Sequence, residues 1–129
     1  MSEKFFALID EILNRVRSKV TARNHIGRVV YELTTSARGL LINMQTFEIR
    51  TLIPMEEISY EITPNGIEQT ICNNLEKGED ICKRSFIPLS QQEVISLLNR
   101  LLIDAKTPKT AFTIVQTTFD SLERLQKLS

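Results

Sequence analysis

The sequence predicts an α+β fold made of an N-terminal helix, an antiparallel meander of about five strands, and two C-terminal helices packed on one face of the sheet. Two changes of hydrophobic period carry this prediction. Apolar residues recur every three or four positions up to residue 20 and again after residue 90, but they alternate with polar residues between residues 28 and 87. We expect residues 1–129 to form a single domain, since a chain of this length buries roughly two-thirds of its unfolded surface.

An amphipathic helix is predicted over residues 2–21, where the apolar positions collect on one helical face. These positions are Phe5, Leu8, Ile9, Ile12, Val16 and Val20. A longer helix would bring Arg23 into the middle of this apolar face. We therefore expect the helix to end near Thr21 or Ala22.

Strands are predicted from residue 28 onward. The alternation over residues 29–34 is followed by a turn at 36–39, and the apolar parity then changes within residues 40–53. A parity change without a turn residue nearby indicates a bulge, which we place near Gln45–Thr46. Pro54 is expected to end this strand.

The segment Pro64-Asn65-Gly66 is the strongest hairpin signal in the chain, because proline and glycine occupy the turn positions that favour them. We expect the isoleucine-rich face of the sheet to lie under the helices, with Ser59, Glu61, Glu68, Thr70 and Arg84 on the opposite face. The residues predicted to face the helices are Ile58, Tyr60, Ile62, Ile67, Ile71, Ile81 and Ile87.

Two helices are predicted at the C-terminal end. Ser90 and Glu93 have the spacing of a capping box, in which each side chain accepts a hydrogen bond from the other residue's backbone. Thr107-Pro108 ends this helix and begins the next one.

The charges balance overall but are unevenly distributed. Residues 13–38 contain six basic residues and one acidic residue (+5), whereas residues 48–80 contain eight acidic and two basic residues (−6). A net charge of zero excludes long-range attraction of polyanions by the molecule as a whole. No apolar run approaches the length of about 20 residues that spans a bilayer, and we expect neither a signal peptide nor contact with a membrane.

The two cysteines, Cys72 and Cys82, are predicted to share a sheet face. They lie directly opposite each other if the numbers of paired residues on these strands sum to 154. A cross-strand bridge is the alternative in that register, but we expect free thiols and a cytoplasmic location, where disulfides are rare.

The basic segment at residues 14–28 is a candidate nucleic-acid site, formed by Lys19, Arg23, His25 and Arg28. Several of the cations in this segment have a structural explanation, since positive charge stabilises the end of a helix. The few aromatic residues also leave little for base stacking. Nucleic-acid binding is therefore the second hypothesis.

Glu61 and Glu68 are predicted to lie directly opposite each other across the hairpin. Such a pair is unfavourable without a cation beside it. Arg84 on the next strand, or alternatively Arg50, could supply that cation. If no such cation lies beside them, the two glutamates are predicted to form an acidic surface that binds a basic partner.

Surplus apolar residues in the C-terminal helices, Ile103, Leu125 and Leu128, predict a dimer contact. The chain has no phosphate-binding loop, dinucleotide-binding turn, paired zinc-ligand motif or nucleophile elbow. We therefore expect no catalytic activity, cofactor or metal. The sequence favours a protein-interaction module that self-associates, such as an adaptor, inhibitor, chaperone or regulatory subunit.

Overall fold

A computed structural model describes residues 2–23, 27–73 and 81–128 of the chain. The described elements confirm the predicted order, with six strands rather than about five. They are α1 (Ser2–Arg15), β1 (Lys19–Arg23), β2 (Gly27–Thr35), β3 (Leu40–Glu48), β4 (Pro54–Thr63), β5 (Gly66–Asn73), β6 (Ile81–Pro88), α2 (Gln91–Asp104) and α3 (Pro108–Leu128). The strands form one antiparallel sheet in which the spatial order follows the chain order.

The strand that was not predicted is β1. It is formed by the segment predicted as the end of the first helix, so the helix prediction is wrong beyond residue 15. Val16 and Val20 are four residues apart and fit a helix. However, the segment Lys19–Arg23 also alternates polar and apolar residues, which is the period of a strand. Val16 is buried in the core, and Val20 pairs with Tyr31 of β2. Valine and threonine favour extended backbone, so the strand pairing prevails.

The hairpin and the bulge are confirmed. Glu61 pairs with Glu68 across the turn, and the β3–β4 register shifts between Thr46 and Phe47. Pro54, however, begins β4 instead of ending β3.

The β3–β4 connection replaces the end of the long strand predicted there. The backbone N–H of Glu48 donates to the carbonyl of Ile53 (3.0 Å). Leu52 adopts a left-handed conformation with φ of 57°, which is uncommon for a residue other than glycine. The turn leaves Ile49, Leu52 and Ile53 exposed.

The hydrophobic core lies on one side of the sheet. Tyr60, Ile62, Ile67 and Ile87 are buried as predicted, whereas Ile58 and Ile71 are half-buried. Ile81 has the predicted phase but is 53% exposed. This part of the prediction is wrong because Ile81 begins an edge strand, where the sheet has a neighbour on one side only.

The helices cover this same side. Helix α3 contacts β1, β2, β3, β4 and β6, while α1 contacts β2 and packs against α2. The buried side chains of all three helices join one cluster with the isoleucine face of the sheet. None of the helices in the described ranges has the length and apolar character needed to cross a bilayer.

Tyr60 anchors helix α3 to the sheet. Its ring lies 5.4 Å from the Phe112 ring and 5.5 Å from the Phe119 ring, in tilted or edge-on contacts that stabilise aromatic pairs. Gln69 donates a hydrogen bond to its hydroxyl oxygen (2.9 Å). Burial raises the pKa of Tyr60, and the nearby Asp120 carboxylate adds to the rise.

The predicted starts of α2 and α3 are confirmed. The Ser90 hydroxyl accepts from the Glu93 N–H (3.2 Å), and the Glu93 carboxylate accepts from the Ser90 N–H (2.9 Å). The hydrogen bond from the Ser90 N–H to the carboxylate lowers the pKa of Glu93. The Thr107 hydroxyl likewise accepts from the N–H of Thr110 (3.2 Å).

Candidate functional site: the open face of the sheet

The sheet face opposite the helices, which we call the open face, carries most of the residues predicted as functional. No residue of this face joins the hydrophobic cluster described above. The strand registers place on it Lys19, Arg23, Arg28, Glu32, Asn43, Phe47, Ser59, Glu61, Glu68, Thr70, Arg84 and Phe86. Strand spacing and length give this face dimensions of roughly 24 by 27 Å, an area of about 650 Å². This area approaches the about 800 Å² that each partner contributes to a standard interface.

Arg38 neutralises the carboxylate pair Glu61 and Glu68, so the prediction that Arg84, or alternatively Arg50, does so is wrong. One terminal nitrogen of Arg38 contacts Glu61 and lies 3.3 Å from Glu68. Arg38 reaches the pair from the β2–β3 turn, whose Ser36 hydroxyl accepts from the N–H of Gly39 (3.0 Å). The glutamate side chains are only 13% and 25% exposed. The pair is therefore held within the chain and offers little free negative surface.

We expect Arg38→Gln to lower the free energy of unfolding by about 1 kcal/mol. The like-charged glutamates lose their counter-ion, while the exposure of Arg38 keeps the effect modest. Adding Glu68→Gln to this variant is expected to restore most of the loss, because the repulsion disappears. Chemical denaturation of the four proteins in this cycle measures both effects. Arg84→Gln is the matched control, and a loss there without one at Arg38 would contradict the assignment.

Three of the four carboxylates on the open face accept hydrogen bonds from neighbouring side chains, whereas its cations are exposed apart from Arg28, which is half-buried. Gln45 donates to the Glu57 carboxylate (2.7 Å), and Arg38 holds Glu61 and Glu68. The half-buried acidic residues are Glu32, Glu57, Glu61 and Glu68, and the exposed basic residues are Lys19, Arg23, Arg38 and Arg84. The solvent-facing layer is thus predominantly positive, although the whole chain is neutral.

The basic corner of the open face consists of Lys19, Arg23 and Arg28 at the β1 edge. Arg23 and Arg28 are direct register partners. The Arg28 guanidinium lies over the Phe47 ring, 5.4 Å from its centre, and its Nε is buried with no hydrogen-bond partner. The structure therefore pairs two of the four residues predicted for nucleic acid, Arg23 and Arg28, and places Lys19 four residues along β1 on the same face. The fourth, His25, lies outside the described residues.

Cys72 and Cys82 form a disulfide, so the expectation of free thiols is wrong. They are register partners, as the sum of 154 requires, and their Cα atoms are 4.1 Å apart. This distance is close to the about 4.5 Å of a directly opposed pair without backbone hydrogen bonds. The bridge ties edge strand β6 to β5 on the open face.

The three C-terminal candidates do not form one surface. Ile103, Leu125 and Leu128 are 70%, 62% and 84% exposed. Ile103 lies next to the α2–α3 connection, whereas the rise of α3 places Leu125 about 26 Å from its start. Leu125 and Leu128 alone offer roughly 250 Å², far below the about 800 Å² per partner of a standard interface.

Sequence reasoning missed Arg38 and Phe47. The turn at 36–39 lies close to Glu61, because Leu41 pairs with Glu61, but the sequence pattern does not give the direction of the Arg38 side chain within the turn. The contact of Phe47 with Arg28 depends on the β2–β3 register, which the hydrophobic pattern alone does not set.

Within the described ranges, no group of three or more His, Cys, Asp or Glu side chains is placed to hold a metal ion. Comparison with known proteins found no matching family model, no matching curated protein and no matching solved structure.

Proposed function

We propose that the chain is a non-catalytic protein-interaction module whose open face binds an acidic segment of a partner protein. One observation carries the proposal: Lys19, Arg23, Arg38 and Arg84 at this face are exposed, while its carboxylates are half-buried and three of them accept hydrogen bonds from Arg38 or Gln45. A partner would therefore meet guanidinium and ammonium groups first. Complementary charge of this kind gives specificity and speeds association.

Two features favour a protein over nucleic acid as the partner. Nucleic-acid affinity rises with the number of phosphates neutralised, but the basic corner has only three cations. The Phe47 ring is covered by Arg28 and is not free to stack on a base.

Self-association is the second part of the proposal. The exposed leucines of α3, Leu125 and Leu128, are the contact predicted for it. Because their area is far below that of a standard interface, we expect a dimer that forms only at high concentration and that Leu125→Asp abolishes. Sedimentation of the wild type and of Leu125→Asp over a range of concentrations measures it.

The open-face proposal is tested by recovering tagged protein with its partners from the cells that contain it. Ser59→Glu places a negative charge at the centre of the open face, and Thr113→Glu is its control on the exposed side of α3. We expect a partner whose recovery falls at least tenfold with Ser59→Glu, remains unchanged with Thr113→Glu and decreases with added salt.

Thr70→Glu serves as a second open-face variant if Ser59→Glu does not fold, as judged by circular dichroism. A partner recovered equally by wild type and open-face variants, or no partner at all, contradicts the proposal. The cytoplasmic location stays a prediction. It is tested by the mass of the protein isolated from its cells without reductant, because disulfides persist in oxidising compartments.

A further inference from the structure

Two pairs of like charges face each other on the open face, Glu61 with Glu68 and Arg23 with Arg28, and they differ in whether the chain supplies a counter-ion. Glu61 and Glu68 oppose each other and receive a counter-ion, Arg38, from the same chain. Arg23 and Arg28 oppose each other in the same way. No carboxylate in the described parts of the chain forms an ion pair with either arginine. Since opposed like charges are destabilising, the cation pair is a place where an external anion stabilises the protein.

Arg28 is held in position for such an anion. Stacking on Phe47 restricts the guanidinium, and its buried Nε is unpartnered and closed to solvent. The terminal nitrogens are therefore the groups left to bind a ligand. A planar guanidinium offers two parallel N–H donors that match the oxygens of a phosphate. Because this orientation exists before binding, less entropy is lost on complex formation.

The neighbouring strand offers a second set of contacts. β1 is the terminal strand of the sheet, and an edge strand presents backbone N–H and C=O groups to which an extended peptide can add. Lys19, Thr21 and Arg23 alternate along β1 on the open face. Every second side chain of an added strand would also point to this face, beside Arg23.

We propose that Arg23 and Arg28 bind a phosphate monoester carried by an extended peptide that pairs with the outer edge of β1. The inference rests on the proposed function and names the chemistry of the acidic segment. A monoester carries a charge of about −1.5 to −2 at neutral pH, which matches two guanidinium groups. A phosphodiester chain instead needs a longer cationic track than this corner provides.

The first experiment uses inorganic phosphate as the probe. In two-dimensional NMR spectra of the intact protein, phosphate is expected to shift the backbone amides of Arg23 and Arg28. The double variant Arg23→Gln/Arg28→Gln is expected to lose this response. Arg124→Gln is the matched control, because it removes the same charge from an exposed residue of α3, on the other side of the sheet, and it should leave the response unchanged.

The second experiment compares two short valine- and threonine-rich peptides that differ only in carrying phosphoserine or serine at the centre. We expect the phosphorylated peptide to bind about tenfold tighter, since charged hydrogen bonds are about twice as strong as neutral ones. The double variant should abolish this difference, and the β1 amides should shift as the peptide pairs.

Three results overturn the inference: no response to phosphate, equal binding of both peptides, or a difference that survives in the double variant. Single-stranded DNA that binds more tightly than the phosphopeptide, and loses this binding in the double variant, would assign the corner to nucleic acid. If the site fails while Ser59→Glu still releases a partner, only the phosphate chemistry is wrong and the proposed function stands.

Discussion

Replacing Ile62 with alanine is expected to lower the free energy of unfolding by about 3–4 kcal/mol. Ile62 is fully buried, and its β4 position lies between Leu40 of β3 and Ile67 of β5. The substitution loses the transfer free energy of three carbon atoms and leaves a cavity, which neighbours anchored in the sheet cannot collapse to fill. Equilibrium unfolding in urea measures the change.

Ile81→Ala is the matched control for this prediction. It removes the same atoms from a side chain of the same sheet face that is 53% exposed, and we expect a loss below about 0.5 kcal/mol. Equal losses at the two positions would mean that the helices do not cover the face as described.

Reducing the Cys72–Cys82 disulfide is expected to lower the free energy of unfolding by roughly 2.5 kcal/mol. The bridge closes a loop with a sequence separation of 10, and loop-closure entropy gives a stabilisation of this size. Because β6 is an edge strand, its amides should also exchange faster with solvent after reduction than those of β4. Denaturation with and without reductant, together with hydrogen exchange, measures both effects.

The double variant Cys72→Ser/Cys82→Ser separates the bridge from side effects of the reductant. It should match the reduced wild type and show no response to reductant. An oxidised protein that unfolds at the same urea concentration as this variant would contradict the role given to the disulfide.

The elements that local sequence signals define were predicted correctly. Ser90 and Glu93 mark the start of α2, and Pro64 and Gly66 set the hairpin register, because each signal acts over a few residues. The segment Lys19–Arg23 was not predicted as a strand. Its valine spacing also fits a helix, and the pairing with β2 that decides between them is a tertiary interaction.

The candidate site was only partly predictable for the same reason. Parity along the strands placed Glu61, Glu68 and Arg84 on the open face. The counter-ion Arg38 lies in a turn, where side-chain direction follows no period. The positive character of the face depends on which charged side chains are hydrogen-bonded and half-buried by their neighbours. A count of charges along the sequence does not show which ones these are.

The central claim is that the sheet has one covered face and one open face available to a partner. Methyl NMR with a soluble paramagnetic probe tests it directly on two adjacent residues, Leu41 and Ile42, whose side chains point to opposite faces. We predict strong broadening of the half-buried Leu41 methyl signals and none for Ile42, which is fully buried. Equal protection of both, or broadening of Ile42 alone, would contradict the claim.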